Sequence, residues 1–331
     1  MNILIATGIY PPEIGGPAQY AKNLADVWRG EGYDVNIKVF SRFNSFPTGI
    51  RHLFYFFSIF GPMSKSDFVL ALDTFSAALP AVLACKLLRK KIIIRTGGDF
   101  LWESYVERTG KKVLLRNFYK EEISNLSQKE RKIFNLTRWI LNKSSKVVFS
   151  TEWQRDIFLS AYNLDIRNTN VIENYYGPKE LSETPNEKVF VASSRNLVWK
   201  NLDILKSVFA EINSANLFSG NIPFPEFMKR IQDCYAVILV SLGDISPNMI
   251  LDAIRYNKPF ICTKEVGIFD RIKGVGIFVD PLDKDEIKKA ILDLLEKENY
   301  EKAVEKVRSF SFVHTWGEIG NEFLKVNDSL K

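Results

Sequence analysis

The sequence predicts an α/β protein built of two doubly wound, parallel-sheet domains, and three observations predict it. The chain has 331 residues, room for two domains of roughly 150 residues each. Short apolar runs alternate with amphipathic helical stretches from end to end, the pattern of right-handed βαβ units. The runs are rich in Val, Ile and Phe on both faces, which suits strands covered by helices on both sides.

The elements follow in order. A strand is expected over 2–7 (NILIAT), then a Gly/Pro-rich loop and a helix over 17–31. Strands at 34–40, 67–72, 92–96 and 146–150 are separated by helices at 50–61, 75–89 and 128–143, with a further helix at 152–162. The stretch 164–187 is weakly patterned and rich in Asn, Pro and Glu, and it reads as a linker. Beyond it come strands at 188–193, 236–241, 259–263 and 276–280, and helices at 201–212, 225–234, 248–256 and 284–297. The last stretch, Phe310 to Lys331, reads as a closing helix. The expected division is 1–165, 166–310 and a C-terminal helix over 311–331.

Composition narrows the function. Hydrophobic residues make up 46% and charged residues 25%, an ordinary globular balance. The net charge of +6 is uneven: residues 1–165 carry 23 Lys/Arg against 15 Asp/Glu, and 166–331 carry 22 against 24. The first half therefore favours an anionic partner. No nucleic-acid recognition motif accompanies that charge, so no nucleic-acid partner is expected. Cys85, Cys234 and Cys262 are scattered and only His52 and His314 are present. A zinc site or disulfide framework is not expected, and the cysteine usage fits reducing cytoplasm. The longest apolar run, LFYFFSIF over 53–60, is far short of the ~20 residues of a membrane span and is expected in the core.

Four loops after predicted strands could hold a ligand. In GIYPPEIGGP (8–17), Gly15 and Gly16 offer bare amides at a helix start, and Pro17 needs none. In SSRNLVWKN (193–201), Arg195 and Lys200 could converge on a diphosphate, or be two solvated charges. In SLGDISPNMILDAIRYNKP (241–259), Ser246-Pro247 reads as a helix cap, leaving the amides of Asn248, Met249 and Ile250 to point at a ligand. Asp244 and Asp252 flank that cap and could hold hydroxyls, or be a turn residue and a solvated helix charge. In RTGGDFLWE (95–103), Asp99 follows Gly97-Gly98, as a site residue or a helix cap. All four lie at carboxyl ends of parallel strands, where open α/β sheets bind ligands.

This ordered set resembles the retaining, GT-B-fold glycosyltransferases of the large family 4 type. The Gly-Gly loop is matched by Gly15-Gly16, and the donor-diphosphate Arg and Lys-Asn by Arg195 and Lys200-Asn201. The Glu-x7-Glu motif is matched in spacing by Asp244 and Asp252, the interdomain segment by Val171 to Asn174, and the last strand and loop by Gly276 to Pro281. Three departures stand out. Both motif acids are aspartates, each a methylene shorter. Asp99 takes the place near which the family often has a histidine. About two dozen residues separate Asn201 from the 225–234 helix, where the family usually fits another strand and helix, so the second domain is expected to be short by one βα unit.

The resemblance implies two Rossmann-like domains facing across a cleft, with the closing helix crossing back to the first. It implies transfer of a hexose from a nucleotide diphosphate sugar to an acceptor hydroxyl, with retention and without a metal ion or other cofactor. Asp244 then holds donor sugar hydroxyls, Asp252 the ribose, and Arg195, Lys200 and the amides of 248–250 the leaving diphosphate. Asp99 is the candidate catalytic partner of Asp244. The acceptor is a glycan or a lipid-linked precursor, and the expected location is cytoplasmic, with peripheral attachment to the inner face of a membrane. The basic, aromatic segment 111–146 is a candidate for anionic lipid, although two packed helices with solvated basic faces are the commoner outcome. Two rival readings are a catalytically impaired nucleotide-sugar-binding homologue and a sugar-nucleotide epimerase of the same fold.

Overall fold

All nine apolar runs form parallel strands in the computed structural model, which describes residues 1–13, 15–182, 185, 187–193 and 195–330. The elements begin with β1 (Asn2–Thr7), α1 (Gly16–Gly30), β2 (Asp34–Val39), α2 (Ile50–Ser64), β3 (Phe68–Ala71), α3 (Ala78–Leu88) and β4 (Ile93–Arg95). Then come α4 (Phe100–Thr109), α5 (Leu115–Glu121), α6 (Gln128–Lys143), β5 (Lys146–Phe149), α7 (Glu152–Tyr162) and β6 (Thr169–Val171). The second half contains β7 (Val189–Val191), α8 (Leu202–Phe209), β8 (Asn216–Phe218), α9 (Phe224–Asp233), β9 (Ala236–Leu239), α10 (Asn248–Arg255) and β10 (Phe260–Thr263). It ends with α11 (Phe269–Ile272), β11 (Ile277–Val279), α12 (Lys284–Leu295), α13 (Lys297–Ser309) and α14 (Trp316–Asp328).

The strands make two sheets, in the orders β2-β1-β3-β4-β5-β6 and β11-β10-β9-β7-β8, with every pairing parallel. Numbered within its own unit, each order reads 2-1-3-4-5, the first sheet adding a sixth strand. This is a doubly wound order whose switch point lies between the first and third strands. Both faces of the second sheet are covered. Phe190, Ile238 and Ile261 pack with Leu205 of α8 and Ile291 of α12, while Val191, Val237 and Cys262 pack with Ile231 of α9 and Ile250 of α10. Double coverage explains why these strands are apolar without alternation.

The chain forms two compact units whose boundaries differ from the expected ones. The first is 1–101, 123–175 and the residues from His314 onward; the second is 102–122 and 176–313. The first domain runs past 165 because β6 pairs with β5 as its sixth strand. Residues 102–122 leave it because α4 and α5 pack on the loops of the second sheet: Trp102 lies 5.7 Å from Trp199, and the Leu115 amide donates to Leu242 O at 3.2 Å. The closing helix α14 belongs to the first unit, where Phe323 lies against Trp28 of α1 and the Trp28 indole donates to Gly320 O.

Candidate functional site

In the second unit the switch point lies between β7 and β9, so the loops after those two strands should meet above the sheet. They do. The loop after β7 ends in a single 3-10 turn, Val198–Lys200, followed by Asn201 in the left-handed conformation with φ 56°. Asparagine tolerates that conformation better than most residues. Its side chain is buried and donates to Pro281 O at 2.7 Å and Val240 O at 3.3 Å. Asn201 thereby ties the β7 loop to the ends of β9 and β11 and fixes where Lys200 emerges.

Lys200 reaches Asp244 of the β9 loop, Nζ to Oδ2 at 2.7 Å, and its ammonium lies 4.1 Å from the Trp199 ring centroid. Both side chains of the pair are largely buried. Asp244 is itself held by its backbone, its amide donating to Glu265 O and its carbonyl accepting from Gly267, each at 2.9 Å. In this largely buried setting the ammonium and the carboxylate each compensate the other's lost hydration. Two residues read separately in the sequence, 44 positions apart, are thus brought into one contact. Arg195 has a different setting: it is exposed, and its guanidinium has no partner among the described residues. Neighbouring Ser194 lies outside the described residues, as does Ile14 of the first loop.

The start of α10 differs by one residue from the sequence reading. Pro247, not Ser246, is the cap, because the Pro247 carbonyl accepts from Ile250 at 3.0 Å and Leu251 at 3.3 Å. The Ile250 amide is therefore engaged and is not a free donor, correcting the expectation for that residue. The amides of Asn248 and Met249 have no acceptor among the described residues. The Ser241 and Ser246 hydroxyls are buried without a partner among the described residues. A helix start with free amides and unpartnered hydroxyls suits a polar, anionic ligand. One turn on, burial pushes the Asp252 carboxyl up to about 6, with Arg255 opposing and Glu180 reinforcing the shift. No hydrogen bond reaches that carboxylate from the described residues.

The α4–α5 excursion forms the rim of this site and is the part the sequence reading missed. Arg116 Nε meets Glu265 Oε2 at 2.6 Å, and burial raises the Glu265 carboxyl while Arg116 lowers it. Gly243 permits the approach, since a Cβ there would lie 2.6 Å from Leu115 Cβ. The clue available in the sequence was Gly243 inside SLGD, with no side chain between two strand-end residues.

The first unit holds the remaining candidates. Gly15 caps α1, its carbonyl accepting from Ala18 at 3.1 Å and Gln19 at 3.2 Å. Pro17 has no N–H, and the Gly16 amide has no acceptor among the described residues. Asp99 is 3% exposed just after β4, and the preceding Gly97 carbonyl accepts from Gln154 at 3.1 Å. Near it lies a residue not singled out from sequence, Arg95. Its guanidinium is buried, donates to Ser150 Oγ at 2.9 Å and Asn174 Oδ1 at 2.7 Å, and lies 3.9 Å from the Tyr20 ring centroid. Asn174 also meets His314 Nδ1 through its carbonyl at 3.2 Å. Trp316 stacks on Tyr175 at 5.5 Å. These contacts give His314 and Trp316 packing roles.

No family model matches the chain, and no curated protein does. Solved structures do. Anabaena HepE in complex with UDP aligns with TM-score 0.68 at 14% identity, over 99% of this chain and 100% of that one. Sucrose-phosphate synthase from Thermosynechococcus elongatus aligns with TM-score 0.72 at 12% identity, over 99% and 98%. WaaG, a glycosyltransferase of lipopolysaccharide biosynthesis, aligns with TM-score 0.66 at 11% identity over the whole of both chains. The two parallel-sheet units and these neighbours together give the chain the GT-B glycosyltransferase fold.

Proposed function

We propose that the chain is a retaining glycosyltransferase that moves a hexose from a nucleotide diphosphate sugar to an acceptor hydroxyl without a metal ion. The observation that carries this reading is the Lys200–Asp244 pair at the switch point of the second sheet, beside the free amides of Asn248 and Met249. Neighbours of this fold were solved with UDP and with UDP-glucose, which supports a nucleotide-sugar donor.

The two charges of the pair neutralise each other. When the donor enters, its sugar hydroxyls take the Asp244 carboxylate and its diphosphate takes the Lys200 ammonium, so the pair exchanges one partner for two. The bond from the anomeric carbon to phosphate oxygen breaks as the acceptor oxygen attacks from the same face. The departing diphosphate accepts the acceptor's proton. Charge building on that leaving group is stabilised by Lys200, by exposed Arg195 and by the α10 amides. Asp252 accepts from the ribose hydroxyls. In the first unit, the Gly15-Gly16 turn with its Gly16 amide and Asp99 serve the reacting groups. The acceptor is a glycan or lipid-linked precursor of a glycolipid or polysaccharide, and the enzyme works at the inner face of a membrane.

Calorimetry with UDP, GDP and ADP, followed by hydrolysis and transfer assays on the matching sugars with and without chelator, tests the proposal. Unchanged nucleotide affinity in Arg195→Ala/Lys200→Ala would sink the site assignment. A second reading has its own support. The two aspartates are shorter than glutamates, and the second sheet has five strands against six in the first. Nucleotide binding without turnover on any donor would favour an impaired homologue.

A further inference from the structure

The first unit carries an apolar surface where a solvated helix is ordinarily polar. α2 turns Ile50, Leu53, Phe54 and Phe57 outward, a spacing of i, i+3, i+4 and i+7 that makes one stripe along the helix. Leu53 is 56% exposed and Phe57 65%. The opposite stripe, Tyr55, Ile59 and Met63, is fully buried. The core therefore takes one side of α2 and leaves the other greasy, which corrects the expectation that the whole 53–60 run is interior. α3, packed beside α2, adds Leu83 and Leu87, the latter 69% exposed, with exposed Lys86 on the same face. Phe46 extends the patch, its ring 4.6 Å from that of Phe54.

The charged residues within these two stretches all have one sign. No Asp or Glu occurs in 35–66 or in 74–98, the stretches that contain α2 and α3. Exposed cations of the same stretches include Arg42, Lys65, Lys86, Arg89 and Lys91. Two copies of this face brought together would set cation against cation, which disfavours self-association. A surface both apolar and anionic complements it: the stripe enters the headgroup boundary and the cations meet lipid phosphates.

We propose that the α2–α3 face docks the protein on an anionic phospholipid bilayer. The membrane contact is therefore on 46–89 and not on the 111–146 segment. It deepens the peripheral location proposed above, yet stands apart from the reaction, since vesicle binding and nucleotide binding are separate measurements. No helix among the described residues is long and apolar enough to cross a membrane, so the contact is interfacial.

The test is sedimentation of the full chain with vesicles of phosphatidylcholine alone and of equal parts phosphatidylcholine and phosphatidylglycerol. Binding is expected on the anionic vesicles and weakened by added salt. Leu53→Gln/Phe57→Gln lowers vesicle affinity by about tenfold or more, with UDP affinity and circular dichroism as in the parent. Lys86→Glu/Arg89→Glu, wholly on exposed positions, lowers binding to the anionic vesicles only. The proposal is overturned by equal binding to both vesicle types, by no binding, or by variants that bind like the parent. It is equally overturned by light scattering that finds a dimer which Leu53→Gln/Phe57→Gln dissociates. Loss of UDP binding with vesicle binding intact would strike the donor site and leave this face standing.

Discussion

The first sheet reverses its winding between β1 and β3, the second between β7 and β9. At the first reversal an aspartate, Asp73, follows the strand. Its carboxylate accepts from the amides of Phe75 at 3.1 Å, Ala77 at 2.8 Å and Ala78 at 3.0 Å, and so starts α3. Burial raises its pKa and those bonds lower it. At the second reversal Asp244 follows the strand, and its carboxylate meets the Lys200 side chain instead of a helix start. The same topology thus places one carboxylate in the service of the backbone and another in an ion pair with a side chain. Strand order chooses the location; the bonding of the side chain decides whether the location is available for chemistry.

Four substitutions and titrations break or sharpen that contrast. The largest effect is expected from Lys200→Ala, which removes a charged donor worth ~1.5–3 kcal/mol. UDP affinity measured by calorimetry falls about ten- to hundredfold, and an unchanged value would make the pair a structural one like Asp73. Gly243→Ala comes next. A Cβ 2.6 Å from Leu115 Cβ overpacks the rim and costs ~1–3 kcal/mol, read as a lower melting temperature. Asp73→Ala removes the acceptor of the Phe75, Ala77 and Ala78 amides and costs about 2 kcal/mol in chemical denaturation, while UDP affinity stays as it was. A fall in affinity there would erase the distinction between the two reversals.

The smallest effect is a pH dependence. The Asp252 carboxyl is raised from 3.8 to about 6, chiefly by burial. The folded chain therefore holds that proton more tightly than the unfolded chain. The resulting stabilisation is full below about pH 4 and is lost as pH rises through about 6. Asp252→Asn flattens that part of the stability profile. In the parent protein, UDP affinity rises over the same interval as the ionised carboxylate becomes available to ribose hydroxyls.

What the sequence makes legible follows burial. The inner strands, such as β1, β3 and β9, are plain in it because a strand packed on both faces is apolar at nearly every position. β6 (TNV) and β8 (NLF) are edge strands of three residues, half-exposed and interrupted by asparagine, so no apolar run announces them. α2 continues through Pro62 to Ser64, past the expected end at 61. The greasy 53–60 run shows that hydrophobicity alone does not say which side of a helix finds a partner. Residue types and spacing singled out Lys200, Asp244 and Asp252 as candidates. That Lys200 and Asp244 touch depends on Asn201 bending the chain at φ 56°, a conformation the residue permits but does not dictate. The rim contributed by 102–122 was the least legible, because its contacts are to loops far along the chain, such as Arg116 to Glu265, 149 positions apart.

The path of the chain has a consequence for biosynthesis. It passes from one unit to the other four times, and the first unit is completed only by α14, whose Gly320 lies 292 positions after its partner Trp28. On the ribosome the domain begun first must therefore wait with part of its core uncovered until the last helix emerges. The second unit, lacking only 102–122 from upstream, has all its strands in one continuous segment and can close earlier. Release of a chain cut before His314 is expected to leave the first domain, not the second, as the substrate of chaperones and proteases.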